Sequence, residues 1–257
     1  MCPPLFGRRK NVEGCVVVFR DVTKQKEIDT MKSEFVSVAS HQLKTPLSGI
    51  KWMCELLLDD SIKKTEQEKK EYLNDINNSN ERMLHLVEDL LDVSHIETGR
   101  KFDIIKKDTD LIEIVAQTLK DNLQFAKDKN VRIIKCDNAP QKFIIKCDGD
   151  KIRQVFGNLI NNAIKYSKNN GTVEIGCRHT KNLVTIYIKD DGVGIPQKQQ
   201  ARIFEKFFRA DNAFTKETDG TGLGLYIARA IIEAHGGKLW FESEENKGST
   251  FYFSLPF

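Results

Sequence analysis

The sequence predicts an α+β chain: a helical hairpin followed by a two-layer α/β domain, with helices over a largely antiparallel sheet. Three observations carry that expectation. Apolar residues recur at helical spacing from 23 to 97, with one polar interruption at 59–65. After Gly99 the pattern changes to strand and helix signals in alternation. Finally, 40% hydrophobic against 30% charged residues over 257 positions supports a buried core and leaves room for two ordinary domains.

The elements follow in order. Residues 12–23 are rich in β-branched side chains, end in Asp21-Val22-Thr23, and read as one strand. A single strand cannot bury itself, so it is expected to be the last strand of an upstream domain, with Met1 marking a cut inside a longer protein. From Thr23 a long helix is expected, with Ile28, Met31, Phe35 and Val38 at the 3-4-3 spacing of a coiled-coil seam. Leu47, Ile50, Cys54 and Leu57 resume a stripe after Pro46. A second helix over 66–97 sets Tyr72, Ile76, Met83, Val87, Leu90 and Ser94 on one face. Two such helices cannot close their own core, so a homodimer is expected, the hairpins pairing into a four-helix bundle. Beyond Gly99, strands are expected at 131–136, 143–147, 172–179, 183–189, 238–241 and 250–255, and helices near 110–127, 150–168 and 222–235. The domain limits are therefore 1–22, 23–99 and 100–257.

Composition excludes several classes. Forty basic against 37 acidic residues leave a net charge of +3, no support for a nucleic-acid partner or a polybasic membrane surface. The apolar run at 15–19 is far short of the roughly 20 residues that span a bilayer. Met1-Cys2-Pro3-Pro4 leads into Arg8-Arg9-Lys10 with no apolar signal segment behind it. The six cysteines (2, 15, 54, 136, 147 and 177) form no CxxC pair and have no histidine at zinc spacing. A reducing, hence cytoplasmic, setting is expected for this stretch of chain.

Four motifs carry chemistry. In Ser40-His41-Gln42-Leu43-Lys44-Thr45-Pro46-Leu47, the imidazole of His41 follows the seam by one turn. Pro46 removes a helical N–H just beyond it. Imidazole has an unperturbed pKa near 6.5 and is mostly a neutral nucleophile at cellular pH. Histidines 85, 95, 179 and 235 lack such a setting and read as structural or surface residues. In 154–167, Asn158, Asn162, Lys165 and Tyr166 recur on one helical face beside an apolar stripe. Amide oxygens complete the shell of a magnesium ion held by phosphates, a lysine neutralises phosphate, and a tyrosine ring lies on a base. Asp190-Asp191-Gly192-Val193-Gly194-Ile195-Pro196 follows a strand, and Gly220-Thr221-Gly222-Leu223-Gly224-Leu225 opens a helix whose N-terminus offers N–H groups to phosphate. Between them, Ile203-Phe204-Glu205-Lys206-Phe207-Phe208-Arg209 places aromatics and cations in a long loop-like segment, which reads as a functional lid, a disordered stretch or a small hydrophobic cluster under the loop. No P-loop is present.

Together and in this order, the motifs resemble the catalytic core of the sensor histidine kinases of two-component signalling. His41 to Leu47 looks like the phosphoacceptor box, 154–167 the N box, 190–196 and 220–225 the two glycine boxes, and 203–209 the F box. Gly248-Ser249-Thr250 looks like the final glycine turn, and the strand ending at Asp21-Val22-Thr23 is similar to the exit of a PAS sensor domain. The resemblance implies a dimerisation and phosphotransfer hairpin, then an ATP-binding domain of the gyrase, Hsp90, histidine kinase and MutL type, using ATP and Mg²⁺. It implies Asn158 on the metal, Asn162 and Lys165 on the nucleotide phosphates, Tyr166 beside the adenine and Asp190 accepting from its amino group. Gly192, Gly194, Gly220, Gly222 and Gly224 would shape the pocket and lid, with Lys206, Thr221 and Leu223 also at the nucleotide. Arg209 would face the phosphates or the phosphotransfer helix. His41 would pass its phosphoryl group to an aspartate on the receiver domain of a response regulator, and Thr45 would serve its dephosphorylation.

One position departs from the family, which most often has a carboxylate directly after the phosphoacceptor; here it is Gln42. An amide accepts the imidazole N–H but cannot take its proton, so slow autophosphorylation is expected. Two rival readings remain. One is an ATP-driven clamp or chaperone of the same nucleotide-binding fold, against which the box before Pro46 argues. The other is a nucleotide-binding scaffold or phosphatase without kinase activity, for which Gln42 speaks.

Overall fold

The computed structural model describes residues 4–6, 12–15, 21–59, 61, 64–98, 102–135, 142–216 and 220–257. Side chains of 4–6, 12–15, 23–25, 27–36, 38, 41 and 214–216 lie outside that description. The chain divides into two compact units, Met1–Gln42 and Leu43–Phe257, and the division falls inside the first helix.

In the first unit, β1 (Pro4–Phe6) pairs antiparallel with β2 (Val12–Cys15), Leu5 standing opposite Gly14. The strand expected to be alone thus has an antiparallel partner upstream, and the two satisfy each other's backbone groups. The rest of that run, 16–20, lies outside the described residues. So do the side chains of the expected seam, Ile28, Met31, Phe35 and Val38. Helix α1 (Thr23–Leu58) begins in this unit and continues through Pro46 without interruption.

The second unit holds the rest of α1 and helix α2 (Glu66–Glu97). A capping box defines where α2 starts: the Thr65 hydroxyl accepts from the Glu68 N–H at 3.2 Å, and the Glu68 carboxylate accepts from the Thr65 N–H at 2.7 Å. The buried stripe of α2 differs from the expected one. Leu86 and Val93 are buried at 6% and 1% exposure, whereas Val87 is 43% exposed and Ser94 lies open. Leu84, Val87 and Leu91 form a second apolar stripe next to the first, and period alone does not rank the two.

The α/β domain runs β3 (Lys107–Asp110), α3 (Leu111–Asp128), β4 (Arg132–Lys135), β5 (Ile144–Cys147) and α4 (Gly149–Tyr166). It continues through β6 (Thr172–His179), β7 (Leu183–Asp190), a 3-10 helix (Gln197–Arg202), α5 (Asp211–Lys216), α6 (Gly224–Ala234), β8 (Lys238–Glu244) and β9 (Gly248–Pro256). The main sheet has the order β4-β6-β7-β9-β8, and only β4–β6 is parallel, as the largely antiparallel expectation requires. A separate pair, β3–β5, lies outside it. Helices α3 and α6 pack against α4, which rests on β7. Ile152, Ile160, Ile164, Ile188, Ile227 and Ile231 are fully buried between helices and sheet, each contributing about 1.5–3 kcal/mol relative to exposure. The rings of Phe156 and Phe253 meet edge-on at 5.1 Å across the same core. The sequence alone did not show β3, the 3-10 helix or α5; all are six residues or fewer, too short for a period to register.

Candidate active site

Helix α4 separates core from site. Its inner face carries Ile152, Val155, Phe156, Leu159, Ile160, Ala163 and Ile164, all buried. That fixes the opposite face, so Asn158, Asn162, Lys165 and Tyr166 all line one cavity of about 230 Å³. Asp148 caps the helix, accepting from the Lys151 N–H at 3.2 Å and, through its other oxygen, from the Ile105 N–H at 3.0 Å.

Asp190, at the end of β7, forms the second wall and is 5% exposed. Its Oδ1 accepts from the N–H groups of Gly192 at 2.9 Å and Ser249 at 3.3 Å, which orients the carboxylate. Gly192 itself is buried beneath the cavity, where a side chain would collide with the Tyr166 carbonyl. The Val193 N–H donates to that carbonyl at 3.2 Å, joining the first glycine turn to the end of α4. Gly194 (φ +64°) lines the cavity and packs against the Glu244 backbone, an approach that excludes any side chain.

The second glycine motif closes the site. Gly220, Thr221, Gly222 and Gly224 line the cavity. A Cβ at Gly220 would lie 3.4 Å from the Arg209 guanidinium carbon and 3.5 Å from Lys165 Nζ, so two cations converge on this backbone. At Gly224 a Cβ would lie 3.4 Å from Asn158 Oδ1, and Asn158 Nδ2 donates to the Gly224 carbonyl at 3.2 Å. Leu223 does not line the cavity; it is fully buried and anchors the start of α6, its N–H donating to the Thr221 hydroxyl at 3.2 Å. Lys206 also departs from expectation. It pairs with Glu97 of α2 at 2.7 Å and is not among the cavity residues, whereas Phe208 and Arg209 are. Phe207 between them has φ +60°, which turns the chain so that its two flanks face opposite ways.

Other residues of the site were invisible to motif reasoning. Asn212 lines the cavity and donates to the carbonyls of Gly194 at 3.0 Å and Val193 at 3.3 Å, tying α5 to the first glycine turn. Asp89 of α2 also lines the cavity; burial, with the charge of Asp92 close by, pushes its carboxyl up to about 6. Of the phosphoacceptor box, His41 and Gln42 lie on α1 in the first unit and the side chain of His41 is outside the description, while Thr45 is exposed.

The donor set suits a nucleotide and its metal. The Asn158 amide donates through nitrogen to Gly224, leaving its oxygen as the atom of that side chain able to ligate Mg²⁺, a single protein ligand of the kind Mg²⁺ takes when phosphates and water supply the others. No cluster of three or more metal-ligating side chains occurs among the described residues.

Comparison with known proteins decides the family. Residues 31–99 match the His Kinase A (phospho-acceptor) domain, and 147–257 match the histidine kinase-, DNA gyrase B-, and HSP90-like ATPase. Sensor histidine kinase WalK of Bacillus subtilis (strain 168) is 35% identical over 249 residues, 96% of this chain. The chain belongs to the sensor histidine kinase family. This histidine kinase chain spans 40% of the length of that WalK. Acinetobacter baumannii histidine kinase AdeS superposes with a TM-score of 0.61 at 25% identity, over 84% of this chain and 97% of that one. Histidine kinase ThkA, in its complex with response regulator protein TrrA, shares the fold with a TM-score of 0.61 at 23% identity, over 99% of this chain and 73% of that one. No helix among the described residues is long and apolar enough to cross a membrane.

Proposed function

We propose that this chain is the ATP-dependent protein-histidine kinase core of a longer, cytoplasmically exposed sensor. Residues 1–22 are the end of a PAS-type sensor domain, 23–99 the dimerisation and phosphotransfer domain, and 100–257 the catalytic domain. The observation that carries the reading is the convergence of Lys165 and Arg209 on Gly220 in a cavity that Asn158 and the buried Asp190 also line. This is one cavity with a cationic end for phosphates and an anionic acceptor for an exocyclic amine.

The protein's part in the chemistry is to position and to neutralise. Asp190, held by two backbone N–H groups, accepts from the adenine amino group, with Tyr166 beside the base. Asn162 and Lys165 bind the phosphates. Arg209 offsets the charge that spreads over the transferring group. Mg²⁺, when bound through Asn158 and the nucleotide, supplies further neutralisation of phosphate charge. The neutral imidazole of His41 attacks the terminal phosphorus in line, a P–N bond forming as the bond to the β–γ bridging oxygen breaks and ADP leaves. Gln42 accepts the N–H of that ring and orients it without removing the proton, which slows the step relative to a carboxylate. The phosphoryl group then passes to an aspartate on a response regulator, a partner supported by the regulator bound in the ThkA structure. Thr45, one turn beyond His41 and open to solvent, orients the water that hydrolyses the regulator's aspartyl phosphate.

The exposed stripe of Leu84, Val87 and Leu91, with Trp52 at 58% exposure on α1, supports a homodimer. The deciding experiment incubates the chain with γ-labelled ATP and Mg²⁺. Acid-labile label that vanishes in His41→Ala supports the reading, and a folded chain that binds ATP yet never labels residue 41 refutes it. Mixing His41→Ala with Asn158→Ala subunits then tells transfer between protomers from transfer within one, since label appears only if the intact site of one protomer serves the intact histidine of the other.

A further inference from the structure

One carboxylate in the nucleotide cavity belongs to none of the nucleotide-binding motifs. Asp89 lies on α2 of the hairpin, yet it lines the cavity with Asn158, Lys165 and Gly220, and it accepts a hydrogen bond from the Thr221 hydroxyl. A row of α2 side chains holds it there. Asp92, three residues on and 9% exposed, accepts from Lys151 Nζ at 3.0 Å and from Gln154 Nε2 at 2.8 Å, both on α4. Glu97, near the end of α2, accepts from Lys206 Nζ at 2.7 Å and from the Tyr226 hydroxyl on α6. Residues 89, 92 and 97 fall close to one face of the helix, and Val93 within that row is 1% exposed. Three carboxylates of α2 therefore grip α4, α6, the F box and the second glycine motif together.

Two of these carboxylates, Asp92 and Glu97, have a cation opposite them. Asp89 instead accepts from the hydroxyl of Thr221, the residue after Gly220, on which Lys165 and Arg209 converge in the cavity that all of them line, the place where phosphates would sit. A carboxylate and a polyphosphate seek the same donors there, and in a water-poor cleft like charges repel strongly. The raised pKa of Asp89 shows that this environment already disfavours the anion before any phosphate arrives.

Resting on the nucleotide reading above, we infer that Asp89 is a built-in competitor for the triphosphate: the α2 grip and bound ATP exclude one another, so ATP binding releases the catalytic domain from its own hairpin. Linkage makes the effect reciprocal, and loosening the grip tightens ATP binding by the same factor.

The test is calorimetric titration of the full chain with Mg·ATP and, separately, with adenosine, which brings no phosphate. Asp89→Asn keeps an acceptor for Thr221 and removes the charge, and it is expected to bind Mg·ATP at least about tenfold more tightly, since a unit charge pair a few ångströms apart at partial burial exceeds that factor. Adenosine affinity stays within about twofold, which also shows that the variant is folded. Asp92→Asn weakens the grip outside the cavity and tightens Mg·ATP too. The double variant gains no more than the stronger single, because both act through one gripped state. Unchanged or weaker Mg·ATP binding by Asp89→Asn, or full additivity in the double variant, overturns the inference while leaving the nucleotide site standing. A folded chain that binds neither compound in any variant overturns both.

Discussion

The imidazole of His235, at the end of α6, accepts a hydrogen bond through Nε2 from the backbone N–H of Asp148, 3.0 Å away at the start of α4. Its Nδ1 donates to the Ile231 carbonyl at 2.8 Å, so the neutral ring is fully used and is only 3% exposed. The residue that caps α4 is thereby tied to the helix that follows the second glycine motif. Helices α4 and α6, which both contribute residues to the cavity lining, share this anchor.

Burial holds the pKa of His235 below its ordinary 6.5. The unfolded chain therefore takes up the proton at higher pH than the folded one. Stability from this group is complete above about pH 6.5 and is lost as pH falls below it. Thermal midpoints measured from pH 7.5 to 5.5 should fall more steeply for the wild type than for His235→Gln, which has no titrating group. Parallel curves would refute this. At pH 7.5, His235→Ala should destabilise by about 2–4 kcal/mol, through the cavity and the orphaned Asp148 N–H.

Phe207 and Gly222 form a second coupled pair. Both have positive φ, +60° and +69°, and the Phe207 N–H donates to the Gly222 carbonyl at 3.0 Å. In Gly222→Ala the new Cβ would meet the Phe207 carbonyl carbon at 2.7 Å in a conformation L side chains avoid. A loss of about 1–3 kcal/mol is expected by urea unfolding, with weaker ATP binding. At Gly220 a Cβ would meet only side-chain atoms, at 3.4 Å or beyond, so Gly220→Ala should be the milder of the two in stability. Equal losses would show that backbone strain does not govern this junction.

Leu84, Val87 and Leu91 are 51%, 43% and 56% exposed along one stripe of α2. If this stripe closes a four-helix bundle, sedimentation equilibrium of the wild type should give twice the chain mass of 29.4 kDa, and Leu84→Arg should shift it to a single chain. A Leu84→Arg variant that stays dimeric would move the interface elsewhere.

Gln42→Glu restores a group able to take the imidazole proton. Single-turnover phosphorylation of His41 should accelerate, with ~10²-fold the lower end of the usual benefit of a general base. An unchanged or slower rate would mean that proton removal does not limit the step.

What could be read without coordinates was whatever repeats along the chain. The helix expected at 66–97 is found at Glu66–Glu97, because its stripes and the polar turn before it are local signals. Asn158, Asn162, Lys165 and Tyr166 share a cavity because helical spacing obliges them to share a face. Lys206 went astray because a single positive φ at its neighbour reversed which way it points, and no spacing rule carries that.

Sequence by itself determined the order of the motifs, the main helices and strands, and the face of α4 that lines the cavity, since each follows from hydrogen-bond periodicity within a few residues. Tertiary structure alone decided that His235 meets Asp148 across 87 positions, that Lys206 meets Glu97 across 109, and that a carboxylate from the hairpin stands in the cavity. Such contacts depend on the path of the chain between distant segments, and that path leaves no period in the residues it joins.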